Sequence, residues 1–148
     1  MLVVVFQVVD ERYALPARVV VEVLPRVLLS RVPHAKPWHA GLLAYRGSAV
    51  PVIDLNRRLL DASCPPRLGN RVLLVEHERR ATGQRERFGL LVEQVLEVRS
   101  LPSSAEPPAA HAGRDIQVVS LAGGELLQLL DLDAILGGDA PLSQLESR

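Results

Sequence analysis

Apolar residues in this chain fall into short runs broken by Pro, Gly and small polar clusters, not into helical stripes. Leu2–Val9 is almost unbroken and predicts a buried strand. Asp10–Arg12 reads as a turn, and Tyr13–Pro16 as a second short strand. Ala17–Val23 is ambiguous. Four valines disfavour a helix there, but Pro16 suits a first helical turn, so a short helix is expected. Leu24–Arg31 should be extended and Val32–Pro37 a loop. Leu42–Tyr45 and Ser48–Ile53 flank Arg46-Gly47 as a hairpin. Pro51 cannot donate to a ladder, so its strand should lie at an edge or carry a bulge. Asp54 then caps a helix to about Leu60, and residues 61–70 are loop. Arg71–Glu76, Phe88–Val92 and Val95–Leu101 read as strands, with His77–Arg87 a polar turn between the first two. Pro102–Arg114 is a Pro/Ala/Ser loop and the segment expected to be most mobile. Ile116–Leu121 and Glu125–Leu130 form a hairpin around Ala122-Gly-Gly124. Asp131 caps a short helix, Leu132–Leu136, ended by Gly137-Gly138. About ten short strands at regular turn spacing predict small barrels or a sandwich, not βαβ units.

The pattern repeats. Tyr13-Ala-Leu-Pro-Ala-Arg-Val-Val-Val-Glu-Val23 matches Phe88-Gly-Leu-Leu-Val-Glu-Gln-Val-Leu-Glu-Val98 at an offset of 75 residues. Gly47–Leu59 matches Gly124–Leu136 at an offset of 77, with Asp54-Leu55 meeting Asp131-Leu132. A Val/Leu-rich β-protein matches itself loosely in any case. The preserved order favours two similar halves. In the second half Gly123-Gly124 replaces Arg46-Gly47, so Arg46 is what the first hairpin adds.

Length and composition narrow the possibilities. The 148 residues fit one domain, taken as residues 1–138, followed by a polar tail over 139–148. Seventeen basic and seventeen acidic residues give zero formal charge, which argues against a nucleic-acid or acidic-membrane binder. Low net charge also favours association. A single cysteine, Cys64, makes no internal disulfide and fits a reducing compartment. The apolar N-terminus has no basic n-region and is too short to span a membrane, so a cytoplasmic protein with no membrane insertion is expected.

No catalytic constellation is visible. His34, His39, His77 and His111 lie on separate loops without paired ligand spacing, so no metal and no cofactor are expected. Asp54 and Asp131 read as caps, not as paired acids, and Cys64 as an incidental thiol. Trp38 reads as core or lid packing. Glu76, Glu78, Arg79, Arg80, Arg85, Glu86 and Arg87 read as a solvated mixed-charge face. Arg46 sits where the chain reverses. It is either an ordinary solvated turn residue or a partner contact, since arginine on a rigid site is typical of interface anchors. Gly47 reads as a turn glycine.

The ordered set Tyr13-Ala-Leu-Pro16, Val20-x-Glu22-Val23, Gly41-Leu42, Arg46-Gly47, Val50-Pro-Val-Ile-Asp-Leu55, Phe88–Val98 and Leu129-Leu-Asp-Leu132 resembles the CheW-like domain family over about residues 4–136. The resemblance implies a mainly β fold of two five-stranded SH3-like β-barrels, intertwined about a pseudo-twofold axis, with short helices. It implies a non-enzymatic adaptor that binds the regulatory domain of a CheA-type histidine kinase and the cytoplasmic tips of methyl-accepting chemoreceptors, in rings or by self-association. On this resemblance Arg46, Gly47, Gly41, Val20 and Glu22 are candidate receptor- or kinase-binding residues. Val20 is equally a candidate core residue, and Glu22 a solvated one. By the 77-residue offset Val118 stands opposite Gly41, so the second hairpin is expected to twist differently. Two other readings stay open: a CheW-like scaffold of a non-taxis pathway (pilus motility or second-messenger control), and a small β-barrel enzyme. The enzyme reading needs acid, base and nucleophile to converge near His39 or His111.

Overall fold

A computed structural model describes residues 1–60, 62–102, 116–120 and 124–136, with the backbone alone at 116–120. The order is β1 (Leu2–Val8), β2 (Glu11–Pro16), β3 (Val20–Pro25), β4 (His39–Tyr45), β5 (Ser48–Asp54), α1 (Leu55–Leu60), β6 (Arg71–Glu78), β7 (Arg85–Val92), β8 (Gln94–Ser100), β9 (Ile116–Ser120), β10 (Leu126–Leu130) and α2 (Leu132–Leu136). The strands form two five-stranded sheets, β8-β1-β2-β10-β9 and β3-β6-β7-β5-β4.

These are two copies of one topology. Each sheet has a hairpin, β4–β5 or β9–β10, whose second strand runs parallel to β7 or β2. Antiparallel partners follow, β6 then β3 in one sheet and β1 then β8 in the other. The sequence halves are exchanged between the sheets: β1 and β2 complete the sheet of β8–β10, and β6 and β7 complete the sheet of β3–β5. The repeat extends to a local irregularity. The register slips at Val21, between Val20↔Val75 and Glu22↔Leu74, and again at Leu96, between Val95↔Phe6 and Glu97↔Val5. A bulge at the same place in both copies belongs to the fold.

The burial pattern follows from sheets covered on both faces. Along β1, Val4, Phe6 and Val8 enter a central core with β6 and β7, which supply Leu73, Val75, Phe88, Leu90 and Val92. The alternate β1 residues Val3 and Val5 enter a smaller core with Ala14 and Leu127. Val72, Leu74 and Leu91 face a third core with Leu43, Val50 and Val52. Strands buried on both faces read as continuous apolar runs. Gly89 lies inside such a run because a Cβ there would come within 2.8 Å of Val72 and 3.0 Å of Val52.

Five expectations need correction. Ala17–Val23 is not a short helix: a single 3-10 turn, Ala17–Val19, leads directly into β3. The β-branched run wins because β3 gains a full antiparallel ladder with β6. Beyond Pro25 the segment expected to be extended is irregular, apart from one bridge, Ser30↔Leu42. His77–Arg87 is mostly strand, since β6 runs to Glu78 and β7 begins at Arg85. Pro51 does not lie on an edge strand, because β5 pairs with both β4 and β7. Its neighbour Leu42 spends both backbone groups on Ser30, and the β7 ladder starts only at Val52, so no partner requires the missing N–H. Finally, β9 runs unbroken against β10, and Gln117, not Val118, faces Leu129 as Gly41 faces Val52. The loop 103–114, Gly123, Gly137-Gly138, His111 and the tail 139–148 lie outside the described residues.

Candidate partner-binding site

The β4–β5 hairpin closes with Tyr45 paired to Ser48 and two residues between them. Arg46 has φ 46° and Gly47 φ 81°, both positive, as a type I′ turn requires. Gly124 repeats this at φ 80° in the second copy, so the glycine is a property of the turn. A Cβ on Gly47 would meet nothing within 4 Å, so the requirement there is conformational and not steric. A left-handed arginine is uncommon. It holds the exposed side chain at the tip.

The Arg46 guanidinium lies 5.2 Å from the centroid of the Tyr45 ring, and Arg87 reaches the same ring at 5.8 Å. Tyr45 packs partly against the third core, and its hydroxyl donates to Glu22. That bond, with partial burial, raises the Tyr45 pKa above 10.0 against the opposing pull of Arg46 and Arg87. Arg87 is anchored in turn by Glu76, with Nε donating to Oε1 at 3.1 Å. Glu22, Tyr45, Arg46, Glu76 and Arg87 therefore make one charged cluster around one aromatic ring.

The predicted residues divide accordingly. Glu22 and Arg46 meet through Tyr45. Val20 does not join them, because the bulge at Val21 puts Val20 opposite Val75, against the central core, and Glu22 opposite Leu74, on the other face. Gly41 has φ 142°, and a Cβ on it would lie 2.6 Å from the Ser30 carbonyl oxygen. Its place in the fold is to let the chain after β3 cross β4. Tyr45, Glu76 and Arg87 escaped the sequence reading. For Tyr45 a signal exists: it shares the period-2 face of Gly41 and Leu43, which points its ring inward.

The β6–β7 hairpin, expected to be solvated, is built into the protein. Arg79 pairs with Glu86 at 3.2 Å with both side chains largely buried. His77 bonds Asp133 at 2.8 Å, and Arg80 reaches Asp131 at 3.0 Å and Asp133 at 2.8 Å. Burial raises the Asp133 pKa, but hydrogen bonds from His77 and the Arg80 N–H outweigh it and hold the carboxyl below 3.8. Arg58 donates to the Ile135 and Ala134 carbonyls at 3.1 Å each and lies over Trp38 at 5.5 Å. The short α2 is thus gripped at both ends.

His39 lines a pocket with Asp54 and Cys64, the convergence that the enzyme reading needs. The chemistry is missing. Asp54 accepts the N–H groups of Arg57 (3.4 Å) and Cys64 (3.0 Å), as a cap does. Burial, followed by the Asp54 charge, pushes the Cys64 thiol up to about 11, so no thiolate forms near neutral pH. Among the described residues there is no group of three or more metal-ligating side chains, and no helix is long and apolar enough to cross a membrane.

Comparisons with known proteins agree with this architecture. The sequence profile of the CheW-like domain matches residues 2–140. The chain is 31% identical over 137 residues to protein FrzA of Myxococcus xanthus, covering 88% of this chain and 82% of that protein. It is 21% identical over 137 residues to the chemotaxis protein CheW of Rhizobium meliloti (strain 1021), covering 89% and 84%. The crystal structure of the scaffolding protein TtCheW from Thermoanaerobacter tengcongensis superimposes with a TM-score of 0.79 at 24% identity, over 96% of this chain and 92% of that one.

Proposed function

Because the chain belongs to the CheW-like domain family, a family of non-enzymatic scaffolds, we propose that it couples chemoreceptors to a CheA-type histidine kinase in the cytoplasm. The observation that carries this reading is the exposed Arg46 on a rigid two-residue turn, backed by the Tyr45 ring and flanked by Glu22 and Arg87. Arginine and tyrosine presented on a fixed scaffold are typical interface anchors. In this reading Arg46, Tyr45 and Glu22 contact the receptor tip or the kinase regulatory domain, while Gly41 and Gly47 hold the surface in shape and Val20 acts through the core. The alternative reading is the same scaffold in a non-taxis pathway, and membership of the family fits both. The receptor, kinase and output domain encoded beside this gene distinguish the two.

The test is capture of the cognate kinase and receptor by the full chain. Arg46→Glu should weaken capture about tenfold or more, an interface-anchor effect, and leave the melting temperature within about 2 °C. Recovery of neither partner by the unmodified chain defeats the proposal. A large drop in melting temperature for Arg46→Glu makes Arg46 a fold residue instead.

A further inference from the structure

The far end of β4 carries a second feature. His39 and Tyr45 lie six residues apart on that strand, roughly 20 Å along it. After β3 the chain crosses to the outer edge of β4. There the Ser30 N–H donates to the Leu42 carbonyl at 3.0 Å, and the Leu42 N–H donates to Ser30 at 2.7 Å. Between this crossing segment, the start of β4 and α1 is a pocket of about 450 Å³. That is the size of a small-molecule site.

Its walls are basic. Arg26, Arg31 and Arg57 line it, with His39 beside them. Among the described lining residues the one carboxylate is Asp54, engaged by two backbone N–H groups. Arg26 and Arg31 by themselves bring two guanidinium groups to face that one described carboxylate. Arg26 is fixed in place from behind: Nη1 donates to Asn70 Oδ1 at 2.7 Å and to the Cys64 carbonyl at 3.3 Å. Asn70 is fully buried and is itself oriented by the Arg67 N–H at 3.0 Å and the Glu93 carbonyl at 3.1 Å. Both of these described partners of Arg26 are neutral groups, not carboxylates.

We propose that this pocket binds a phosphate-bearing small molecule, held by Arg26 and Arg31. Guanidinium groups match phosphate oxygens bidentately, and a pre-positioned one loses less freedom on binding. An acidic peptide fits less well. Extended peptides add to free sheet edges, and here Ser30 already occupies the β4 edge.

The full chain should be titrated with inorganic pyrophosphate at low salt and followed by amide NMR, with sodium chloride of equal ionic strength as the control. Expected are saturable shifts confined to residues 26–31, 39–40, 57 and 63–64. Arg31→Gln, outside the Asn70 network, should weaken binding about tenfold with unchanged melting, since one charged contact of roughly 1.4 kcal/mol is lost. Arg26→Gln should do the same with some loss of stability, and Arg46→Glu should titrate as the unmodified chain does. The proposal is overturned by no saturation below about 10 mM, by an equal response from the Arg26→Gln/Arg31→Gln double variant, or by a Glu-rich peptide binding where pyrophosphate does not.

Discussion

The two hairpin–helix copies, residues 39–60 and 116–136, share a positive-φ glycine turn and an Asp-capped helix, yet they spend their charges differently. At the tip of the second copy, Arg99 grips Glu125 through two bonds of 2.7 and 2.8 Å, with Glu97 3.8 Å away. That pairing lowers the Glu125 pKa. At the tip of the first, Arg46 has an aromatic ring beneath it and, among the described residues, no carboxylate paired with it. The helix caps differ as well. Asp54 opens α1 beside Asn56 and Asn70, both buried, which reach Glu93 by neutral side-chain amides. Asp131 opens α2 under the charged grip of Arg80, and Asp133 beside it takes His77. One copy neutralises its ions internally, while the other keeps its polar bonds buried and leaves a cation facing outward. A duplicated scaffold can confine partner recognition to one half in this way.

The sharpest break of this comparison is at Gly41. Alanine there combines a positive φ with a Cβ 2.6 Å from the Ser30 carbonyl oxygen, so Gly41→Ala should cost about 3 kcal/mol or more in urea unfolding. Gln117, which takes its place in the unbroken β9 ladder, should accept alanine within about 0.5 kcal/mol. Equal costs at the two positions would erase the structural distinction between the copies. The next effect is on binding. Arg46→Glu weakens partner capture as stated above, and Glu125→Ala at the other tip should change it less than about twofold. A larger loss from Glu125→Ala would move recognition to the second copy.

Much of this comparison is legible in the sequence, because turn glycines, Asp caps and the repeat are local or periodic signals. Arg46-Gly47 and Asp54 identify the hairpin and helix start directly. What is not legible depends on register or on distant partners. The bulge at Val21 separates Val20 from Glu22, although their spacing alone puts them on one face. His77 looks solvated until β6 meets Asp133, 56 residues away. The valines of Ala17–Val23 resist helix, but only the ladder with β6 decides the matter.

Smaller still is the grip on α2. The Asp133 carboxyl is held below 3.8, so its stabilising contribution is complete above that value and fades as the pH falls through the lowered one. Asp133→Asn should lower stability by about 1 kcal/mol at pH 7 once solvent screening is allowed for. The difference from the unmodified chain should shrink on acidification below about pH 4. A difference independent of pH would mean that packing, and not charge, holds α2.

The smallest effect tests the two tips against each other. Tyr45 is raised above 10.0 chiefly by its bond to Glu22, whereas Arg46 pulls it down. In a Tyr13→Phe background, which leaves Tyr45 as the chain's one tyrosine, alkaline absorbance titration should show its midpoint above 10.0. Glu22→Gln should move it down, since the carboxylate that favours the protonated hydroxyl is gone, and Arg46→Gln should move it further up. The Glu22 bond is present below the ordinary tyrosine value and is lost as the pH rises through the raised one. Carboxylate NMR should place Glu125 below 4.5, the opposite direction at the equivalent tip. A Tyr45 midpoint indifferent to both Glu22 and Arg46 would mean that the ring does not join them. Arg46 would then stand alone at the turn, and the first tip would differ from the second only in lacking an ion pair.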